Sequence, residues 1–440
     1  MKLDTHTCSK SELDLFSTPP VQDVIIEDYG IESRPSDPNN SCLEFNFGAS
    51  SDDYTDLSRC QLSLSLKVTK SDGNAPVHYT VTDGNETQGA DIDGVPVNLI
   101  FHSMWKQMDL FFNDDLVESS LDYGYKAYLT TLFSYSSEAK NTFLAALEGY
   151  RKDETGKFDI AKQSGAIESA KTLVKNGRVF ELIGRPYLEL FNQSRLIPNN
   201  VKIRLVMTRH SDAFCMMGFA GKVGYKIHIE KAVLRLRRCK LDPQEQLRIE
   251  NRIAQKGAVF PTQSVVIKTV TMPADIRDYT VDSLFSNNEV PPRILIAQVD
   301  NTAYVGTYGQ SPFNFKDNKI SQASITYGGQ TLSHEFDFTN KNKLGAYLNL
   351  YEIMSHYPCD LSIGVTKEDW EGGTTIIPFD LCSDQSYIGD FVSRRKVGSI
   401  TLKLNWDAPL PSNTTLLIIG LFDNNYFMGS NRMFSRDLIY

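Results

Sequence analysis

Alternation of apolar and polar residues is the dominant pattern along the chain. It places every second side chain on one face, which is typical of a half-buried β-strand. The alternating segments are Cys60–Val68, Val201–Val206, Tyr225–Ile229 and Ser399–Leu404, and the apolar runs Val265–Ile267 and Arg293–Ala297 indicate further strands. The connecting segments 70–94 and 306–318 are rich in Asp, Asn, Gly and Ser. The pattern therefore predicts many short strands joined by polar turns.

Helical periodicity is limited to three segments. Asp122–Leu147 carries apolar residues at three- and four-residue spacing, and Lys343–Met354 is a second candidate. Pro243–Gln255 is a polar helix candidate with Asp242 as its N-cap and Pro243 at its first position. Because helices do not alternate with strands, the order of elements argues against a parallel α/β sheet.

One local unit occurs in both halves of the chain. Asp109–Leu116 combines a strand, an Asn-Asp turn and an apolar residue, and Ser324–Leu332 repeats this order with a Gly-Gly turn. Both dipeptides suit the positive φ angles of a two-residue hairpin turn. A helix candidate containing Ala-Tyr-Leu follows each unit, at Ala127–Leu129 and at Ala346–Leu348. Hairpins followed by helices are common and tripeptides match by chance, but the shared order favours an internal duplication.

Two β-rich halves of about 200 residues each determine the predicted architecture. An immunoglobulin-type sandwich needs only about 100 residues, whereas a jelly roll of eight strands in two sheets accommodates long insertions. We therefore predict an all-β fold of two tandem eight-stranded jelly rolls, with a few short helices in inter-strand insertions. The predicted divisions are an N-terminal arm at 1–22, a first jelly roll at 23–240, a linker with a short helix at 241–262 and a second jelly roll at 263–440.

Composition and charge narrow the function classes. The chain of 440 residues is 41% hydrophobic and 22% charged, which is ordinary for a folded protein with a sizeable core. A formal net charge of −9 argues against a protein whose task is to neutralise phosphates. The basic runs Arg235–Arg238 and Ser393–Lys396 are interpreted as solvated strand faces or subunit contacts, with nucleic-acid contact as the open alternative.

The cysteines and the N-terminal residues predict the place of synthesis. Seven cysteines lie far apart without a CxxC pair, so we expect free thiols and no zinc or redox motif. The polar start Met1–Thr5 lacks an apolar secretion segment, and no stretch approaches the roughly 18 apolar residues of a membrane helix. We therefore expect synthesis in the cytoplasm and no membrane insertion.

The sharpest candidate for enzyme chemistry is a non-haem iron site. His210 and Asp212 form the His-x-Asp half of a two-histidine, one-carboxylate ligand set, for which His228 or His334 would be the distal ligand. The His-x-Asp pattern is frequent by chance. We therefore prefer to interpret it as the end of a strand.

Other candidate sites are weaker still. Asp52–Asp53 and Asp91–Asp93 offer loop oxygens for calcium, but their spacing gives no complete ligand set. Trp105 begins an alternating segment and is predicted to be a core residue rather than a sugar-stacking platform. Neither a Gly-x-Ser-x-Gly elbow nor a phosphate-binding glycine loop is present. We therefore predict no catalytic, cofactor-binding or metal-binding residue, no cofactor and no enzymatic activity.

Several segments between residues 100 and 425 resemble one family. Tyr123–Tyr135 resembles the motif Tyr-x-Tyr-Lys-x-Tyr-Leu-x-x-Leu-x-x-Tyr of the hexon-like capsid proteins of Maverick/Polinton elements and adintoviruses. Further segments that resemble this group are Ile197–Leu205, Asp212–Phe214, Pro292–Ile294, Asn301–Tyr304, Ser311–Phe315, Leu402–Leu404 and Leu421–Asp423. At Ser311–Phe315 that family tends to read Asn-Pro-Phe. The first 95 residues match nothing in it.

The resemblance implies a double jelly-roll major capsid protein of the adenovirus-like lineage. Such proteins form homotrimeric, pseudo-hexameric capsomers of an icosahedral shell. The implied partners are further copies of the chain, neighbouring capsomers, and penton or minor capsid proteins, without specific nucleic-acid recognition. The implied location is the virion capsid, with synthesis in the host cytoplasm and the nucleus as an open site of assembly.

Alternatives from other classes stay open at this point. The runner-up is a jelly-roll carbohydrate- or receptor-binding protein of the spike or fibre type. Secretion signals and paired cysteines would favour it, and the sequence shows neither. A penton or minor capsid protein needs one jelly roll, whereas this chain has room for two. An enzyme on a β-scaffold is the last alternative.

Overall fold

The computed structural model describes residues 24–70, 80–82, 85–87, 94–162, 164–218, 224–285, 289–328, 330–338, 343–354, 362–382 and 396–437. The arm predicted at 1–22 lies outside the described residues. Strands predominate in the remainder, and their buried apolar side chains form one core cluster that extends through both halves of the chain.

The first half folds as two facing four-stranded antiparallel sheets. Its strands are β1 (Ile25–Ser33), β2 (Cys42–Phe47), β3 (Asp53–Lys70), β4 (Thr80–Thr82), β5 (Asn85–Thr87), β6 (Gly94–Pro96), β7 (Trp105–Phe112), β8 (Asp115–Ser120), β9 (Phe180–Gly184), β10 (Ile203–Arg209), β11 (Met216–Gly218) and β12 (Tyr225–Leu241). One sheet has the order β1-β12-β3-β9 and the other β2-β10-β7-β8, with the small pairs β4-β5 and β6-β11 outside them.

The second half repeats this topology. Its strands are β13 (Ala258–Met272), β14 (Asp278–Val281), β15 (Glu289–Val290), β16 (Arg293–Asp300), β17 (Ile320–Tyr327), β18 (Gln330–Asp337), β19 (Ile376–Asp380), β20 (Lys396–Val397), β21 (Ile400–Trp406), β22 (Thr414–Met428) and β23 (Phe434–Asp437). One sheet has the order β13-β22-β16-β19, with β23 beside β22, and the other β14-β21-β17-β18.

The same rule describes both halves. Of the eight long strands in each half, the first, eighth, third and sixth form one sheet, and the second, seventh, fourth and fifth form the other. This is the jelly-roll arrangement, so the all-β double jelly roll predicted from sequence is confirmed. The repeated strand order shows that the two halves share one topology, as the predicted internal duplication requires.

Alternation places the core side chains as predicted. In β3, Leu62, Leu64 and Leu66 are buried, whereas the serines between them are partly exposed. Each of these leucines faces the interior because successive side chains of a strand point to opposite faces. The strand pairs antiparallel with β12, where Leu64 lies opposite Ala232.

The described residues of the two hairpin turns have positive φ angles. Asn113 and Asp114, between β7 and β8, have φ angles of 51° and 71°. Gly328, between β17 and β18, has a φ of 57°, and Gly329 lies outside the described residues. Positive φ at both central positions is the signature of the hairpin turn that fits the twist of the strands.

Helices fill the connections between strands. They are α1 (Ile100–Ser103), α2 (Tyr123–Ser134), α3 (Ser137–Ala139), α4 (Ala145–Glu148), α5 (Gly165–Val174), α6 (Asp212–Cys215), α7 (Pro243–Lys256), α8 (Asn301–Val305), α9 (Leu344–Ile353) and α10 (Lys367–Glu371). A π-helical turn at Lys140–Leu144 joins α3 to α4, and 3₁₀ turns occupy Ile160–Lys162, Lys175–Gly177 and Glu189–Phe191.

Two helix predictions are confirmed and one is corrected. The predicted cap of α7 is present, since the Asp242 carboxylate accepts the Gln244 amide at 2.9 Å, and α9 falls within Lys343–Met354. The single helix predicted at Asp122–Leu147 was wrong, because Tyr135 is extended and divides it. Ser136 then caps the next helix by accepting the amide hydrogen bond of Ala139.

The segment between the two rolls is mostly structured. Strand β12 ends at Leu241, α7 follows at once, and β13 begins at Ala258. Residues 258–262, which the sequence assigned to the linker, pair with Asn424–Met428 of β22. The sequence prediction placed the join in the polar segment near 240–262, but the structure includes Pro261 in β13, where a proline is tolerated because β13 is the edge strand of its sheet.

Candidate functional site

The junction of the two rolls contains a cluster of aromatic side chains. Tyr125 and Tyr128 lie three residues apart on α2, so they share one face of the helix. Tyr128 stacks on Phe313 of the second roll, with ring centroids 4.2 Å apart and planes 9° apart. Tyr125 stacks on Tyr304 at 5.8 Å. Because all four rings are wholly or partly buried, they hold the rolls together as a core rather than as a wet interface.

Polar contacts surround these rings on one side of the junction. The Tyr304 hydroxyl donates to the Asp122 carboxylate at 3.1 Å, and the Ser311 amide donates to Asp159 at 2.8 Å. The Gly156 amide donates to the Gly372 carbonyl at 2.8 Å. Each contact joins a residue of the first roll to one of the second, so the strand connections of both rolls are fixed against each other.

A second set of contacts lies around the C-terminal segment. The Arg432 guanidinium donates to both oxygens of Glu250 on α7, at 2.8 and 2.6 Å, and to Asn199 of the first roll at 2.8 Å. The Phe434 ring packs against Phe112 of the first roll and Phe260 of the second, with centroids 4.5 and 5.7 Å away. This segment therefore links the linker helix to both rolls.

Two buried carboxylates lie at the same junction. Glu118 accepts the backbone amides of Glu189 and Leu190 at 2.7 and 3.3 Å, and Lys126 approaches it to 3.6 Å. Tyr426 of the second roll donates to Glu189 at 3.0 Å. Burial raises the pKa of Glu118 to about 7, and the nearby Glu189 adds to this rise. The cluster satisfies these groups internally, which is how buried charged groups are tolerated.

A buried lysine joins the two connections that follow the fifth strand of each roll. Lys140 lies in the π-helical turn of the first roll and donates to the carbonyls of Leu132 and, at 2.7 Å, of Ile363 in the second roll. The Ser137 amide donates to the Ser362 carbonyl at 3.0 Å beside it. Burial lowers the pKa of Lys140 to about 7.

Sequence reasoning missed a fully buried histidine cluster in the first roll. His102 Nδ1 lies 2.8 Å from the Tyr123 hydroxyl, and Nε2 lies 3.2 Å from Glu148. Tyr187 donates to the same carboxylate at 3.3 Å. Since His102, Tyr123 and Tyr187 are buried, the cluster cross-links helices and loops in the core. The residues are separated by up to 85 positions in sequence, so no spacing pattern could reveal them.

The candidate iron ligands do not form a metal centre in the described part of the chain. His210 stacks on Phe214 at 3.7 Å, its Nδ1 accepts the Ser211 amide, and burial lowers its pKa to about 4. Asp212 accepts the Ile227 amide at 3.3 Å. The side chain of His334 lies outside the description. Among the described residues no group of three or more His, Cys, Asp or Glu side chains could hold a metal ion.

Asp53 and the arginines of the first basic run have protein partners. Asp53 accepts hydrogen bonds from Ser50 and Tyr29 at 2.6 and 2.7 Å, and Asp91–Asp93 lie outside the described residues. Arg235 forms an ion pair with Glu32, and Arg237 with Asp28, both on β1. The first basic run therefore lies on a strand face. Arg394 and Arg395 of the second run lie outside the description.

The remaining candidates belong to the core or are unpaired thiols. Trp105 is buried at the start of β7, and its indole donates to the Phe101 carbonyl at 2.9 Å, so the core prediction is confirmed. Cys42, Cys60, Cys215 and Cys239 form no disulfide, whereas Cys8 and Cys359 lie outside the description. In the part of the chain that is described, no helix has the length and apolarity needed to cross a membrane.

Comparison with known proteins places the fold. No protein-family model matches the chain. An uncharacterized protein of Caenorhabditis elegans, F54H12.2, is 24% identical over 379 residues, which span 84% of this chain and 86% of that protein.

Solved virus structures match over nearly the whole length. A chain of the Sputnik virophage matches with a TM-score of 0.66 and 10% identity, covering 100% of this chain and 93% of its own. The PBCV-1 virus capsid matches with a TM-score of 0.57 and 13% identity, covering 97% of this chain and 100% of the matched chain. The mavirus major capsid protein matches with a TM-score of 0.55 and 11% identity, covering 98% of this chain and 94% of the matched chain. At such low identity these matches show the fold, a double jelly roll.

Proposed function

We propose that the chain is a major capsid protein that forms homotrimeric, pseudo-hexameric capsomers of an icosahedral shell. The observation that carries the proposal is the repeated jelly roll. Three chains with two similar rolls each place six similar bodies around one axis, so a threefold assembly can occupy a sixfold lattice position. The full-length fold match to a virus capsid and to a major capsid protein supports this role.

The junction supports the same role. A capsomer subunit must present its two rolls in one fixed orientation, and here buried aromatic rings, the Lys152–Asp369 ion pair and backbone hydrogen bonds connect them. The function needs no catalytic residue, and the buried histidine cluster has the fully enclosed form of a core contact. The alternative of a carbohydrate- or receptor-binding protein has no comparable support.

We propose the finer assignment to the Maverick/Polinton–adintovirus group on the sequence resemblance. The tyrosine-rich motif supports it, and most of its tyrosines lie on α2, at the junction. An animal relative, the uncharacterized protein of C. elegans, supports a lineage that includes elements resident in host genomes. Penton or minor capsid proteins as partners, and a location in the virion, follow from the same proposal.

We also propose the domain division. The first roll covers 23–240 and the second 263–440, with the arm at 1–22 and the linker at 241–262. Since β13 begins at Ala258, we extend the second roll to include residues 258–262.

Light scattering of the purified protein at micromolar concentration tests the proposed function. We expect a mass of three times 49.5 kDa. A monomer under these conditions would contradict the capsomer, because a subunit that tiles a shell needs a stable contact with its own copies. A dimer would contradict it as well, since two chains cannot supply six rolls.

A further inference from the structure

Two buried carboxylates share one lysine where the rolls meet. Glu118 on β8, Glu189 in the 3₁₀ turn and Lys126 on α2 are 4%, 7% and 5% exposed. Their hydrogen bonds are satisfied, but their charges do not balance, because two carboxylates and one ammonium leave one buried negative charge in excess. A buried charge without a partner is costly, and a carboxyl group avoids this cost by holding a proton.

Hydrogen bonds connect this pair of carboxylates to both rolls. The two oxygens of Glu118 accept the backbone amides of Glu189 and Leu190 at 2.7 and 3.3 Å, so Glu118 caps the start of the 3₁₀ turn. The Tyr426 hydroxyl, on β22 of the second roll, donates to the Glu189 carboxylate at 3.0 Å. The 3₁₀ turn also contacts β3 of the first roll and β13 of the second. A change of charge on the pair therefore acts directly on the contact between the rolls.

The neighbouring elements contribute neutral groups and cations that are engaged elsewhere. Tyr123 on α2 lies near Glu118, and Cys60 on β3 lies near Tyr123. Burial raises the pKa of both Tyr123 and Cys60, so these groups stay neutral near pH 7. Arg59 on β3 pairs with a carboxylate of β1, and Lys268 on β13 donates to a backbone carbonyl. The lysine on α2 is thus the cation that offsets the charge of the two carboxylates.

The excess charge gives the pair a proton affinity near neutral pH. Burial raises the pKa of Glu118 from 4.5 to about 7, and the charge of Glu189 contributes to the rise. Because the two carboxyl groups interact, the proton belongs to the pair and not to one residue. Between these two values the folded chain binds more protons than the unfolded chain, so the pair's contribution to stability falls as pH rises.

We propose that Glu118 and Glu189 form a pH-sensitive switch between the two rolls, which holds them together when the pair binds a proton and loosens their contact when the proton is released. The proton leaves to solvent, and the excess charge is relieved when water enters beside Tyr426. The switch lies within one chain, so it operates in an isolated subunit and is independent of the proposed function. In a shell of such subunits, mild acid would favour the closed arrangement of the rolls.

Chemical denaturation from about pH 5 to 8 tests the proton binding. Below pH 7 the unfolding equilibrium constant of the parent should rise up to about tenfold more per pH unit than that of Glu118→Gln, which is the effect of one proton. Glu189→Gln should shift this rise to lower pH by about one unit, since Glu118 then lacks a neighbouring negative charge. The matched control is Glu181→Gln, an exposed glutamate on β9, which should follow the parent. A parent and a Glu118→Gln variant with the same pH dependence would overturn the switch.

Infrared spectroscopy of the parent detects the proton directly and does not depend on whether the variants fold. Glutamate labelled with ¹³C separates its carbonyl band from that of aspartates such as Asp153, whose pKa burial raises to about 6. We expect a labelled band of protonated carboxyl at about pH 6 that is lost at about pH 8. The band should be present in Glu181→Gln and missing in Glu118→Gln. A parent without this band at the lower pH would contradict the proposal.

Hydrogen exchange along β22 tests whether the pair controls the contact between the rolls. After correction for the intrinsic effect of pH, the amides around Tyr426 should exchange about tenfold faster at pH 8 than at pH 6 in the parent. They should show no such increase in Glu118→Gln. Exchange that increases equally in both chains, or in neither, would show that the proton does not control the junction.

Discussion

The helix after the fifth strand has opposite surroundings in the two rolls. In the first roll, α2 is covered by the second roll, and its tyrosines stack on Phe313 and Tyr304. In the second roll, α9 occupies the matching place and exposes Leu344 and Leu348. The local patterns are alike, so the difference comes from what lies next to each helix. The comparison teaches that the same local pattern is buried where the fold places the other roll beside it, and stays exposed where it does not.

The largest expected effect is at the covered helix. Tyr128→Asp should lower the free energy of unfolding by about 4 kcal/mol or more, because it buries a charge and removes the stacked ring. Leu348→Asp, at the open helix, should change the stability of the monomer by less than about 0.5 kcal/mol. Chemical denaturation of both variants measures the difference. Equal free energies of unfolding for the two variants would contradict the difference in burial between α2 and α9.

A smaller effect is expected at the C-terminal edge of the junction. Arg432→Ala should cost about 2–3 kcal/mol of stability, because the partly buried Glu250 carboxylate loses the guanidinium nitrogen that contacts both of its oxygens. Arg248→Ala is the matched control, since Arg248 pairs with Glu245 at the surface of the same helix. That change should cost less than about 0.5 kcal/mol in the same denaturation experiment. A cost at Arg432 as small as at the control would show that this edge does not hold the rolls together.

A further effect, visible only as a change of stability with pH, is expected at the contact between α3–α4 and the second roll. Burial lowers the pKa of Lys140 to about 7 in the folded state, below its ordinary value of 10.5. The unfolded chain therefore binds more protons between these values, so this residue's contribution to stability should increase as pH rises from about 7 to 10.5. Lys140→Met should remove that increase.

Unfolding of the parent and the variant across this pH range gives the comparison. Lys157→Met is the control, because Lys157 is half-exposed and pairs with Glu154 on the surface. Its pH profile should follow that of the parent. An unchanged profile for Lys140→Met would show that the lysine is not buried against the second roll.

The sequence determines the local features of this fold. The alternation at Cys60–Val68 predicts β3, the Asn-Asp dipeptide predicts a turn with positive φ, and Asp242 predicts the start of α7. Each of these depends on residues close in the chain, where sterics and hydrogen bonding act without a distant partner. The prediction of one continuous helix through Tyr135 was wrong, because the spacing of apolar residues gives no information about the N-cap at Ser136.

The junction could not be derived in the same way. Tyr128 and Phe313 are separated by 185 positions, and His102 and Glu148 by 46. Apolar spacing shows that Tyr128 has a buried face, but many residues could cover it. The jelly-roll topology selects the partner, because it places the connection after the third strand of the second roll beside α2. The residues that meet at the junction of the two rolls therefore follow from the jelly-roll topology and not from the spacing of apolar residues in the sequence.

Electron microscopy of the purified assembly tests the central claim most directly. The account predicts threefold particles with a hexagonal outline, in which six similar rolls surround one axis. Single two-roll particles, or assemblies without threefold symmetry, would contradict it.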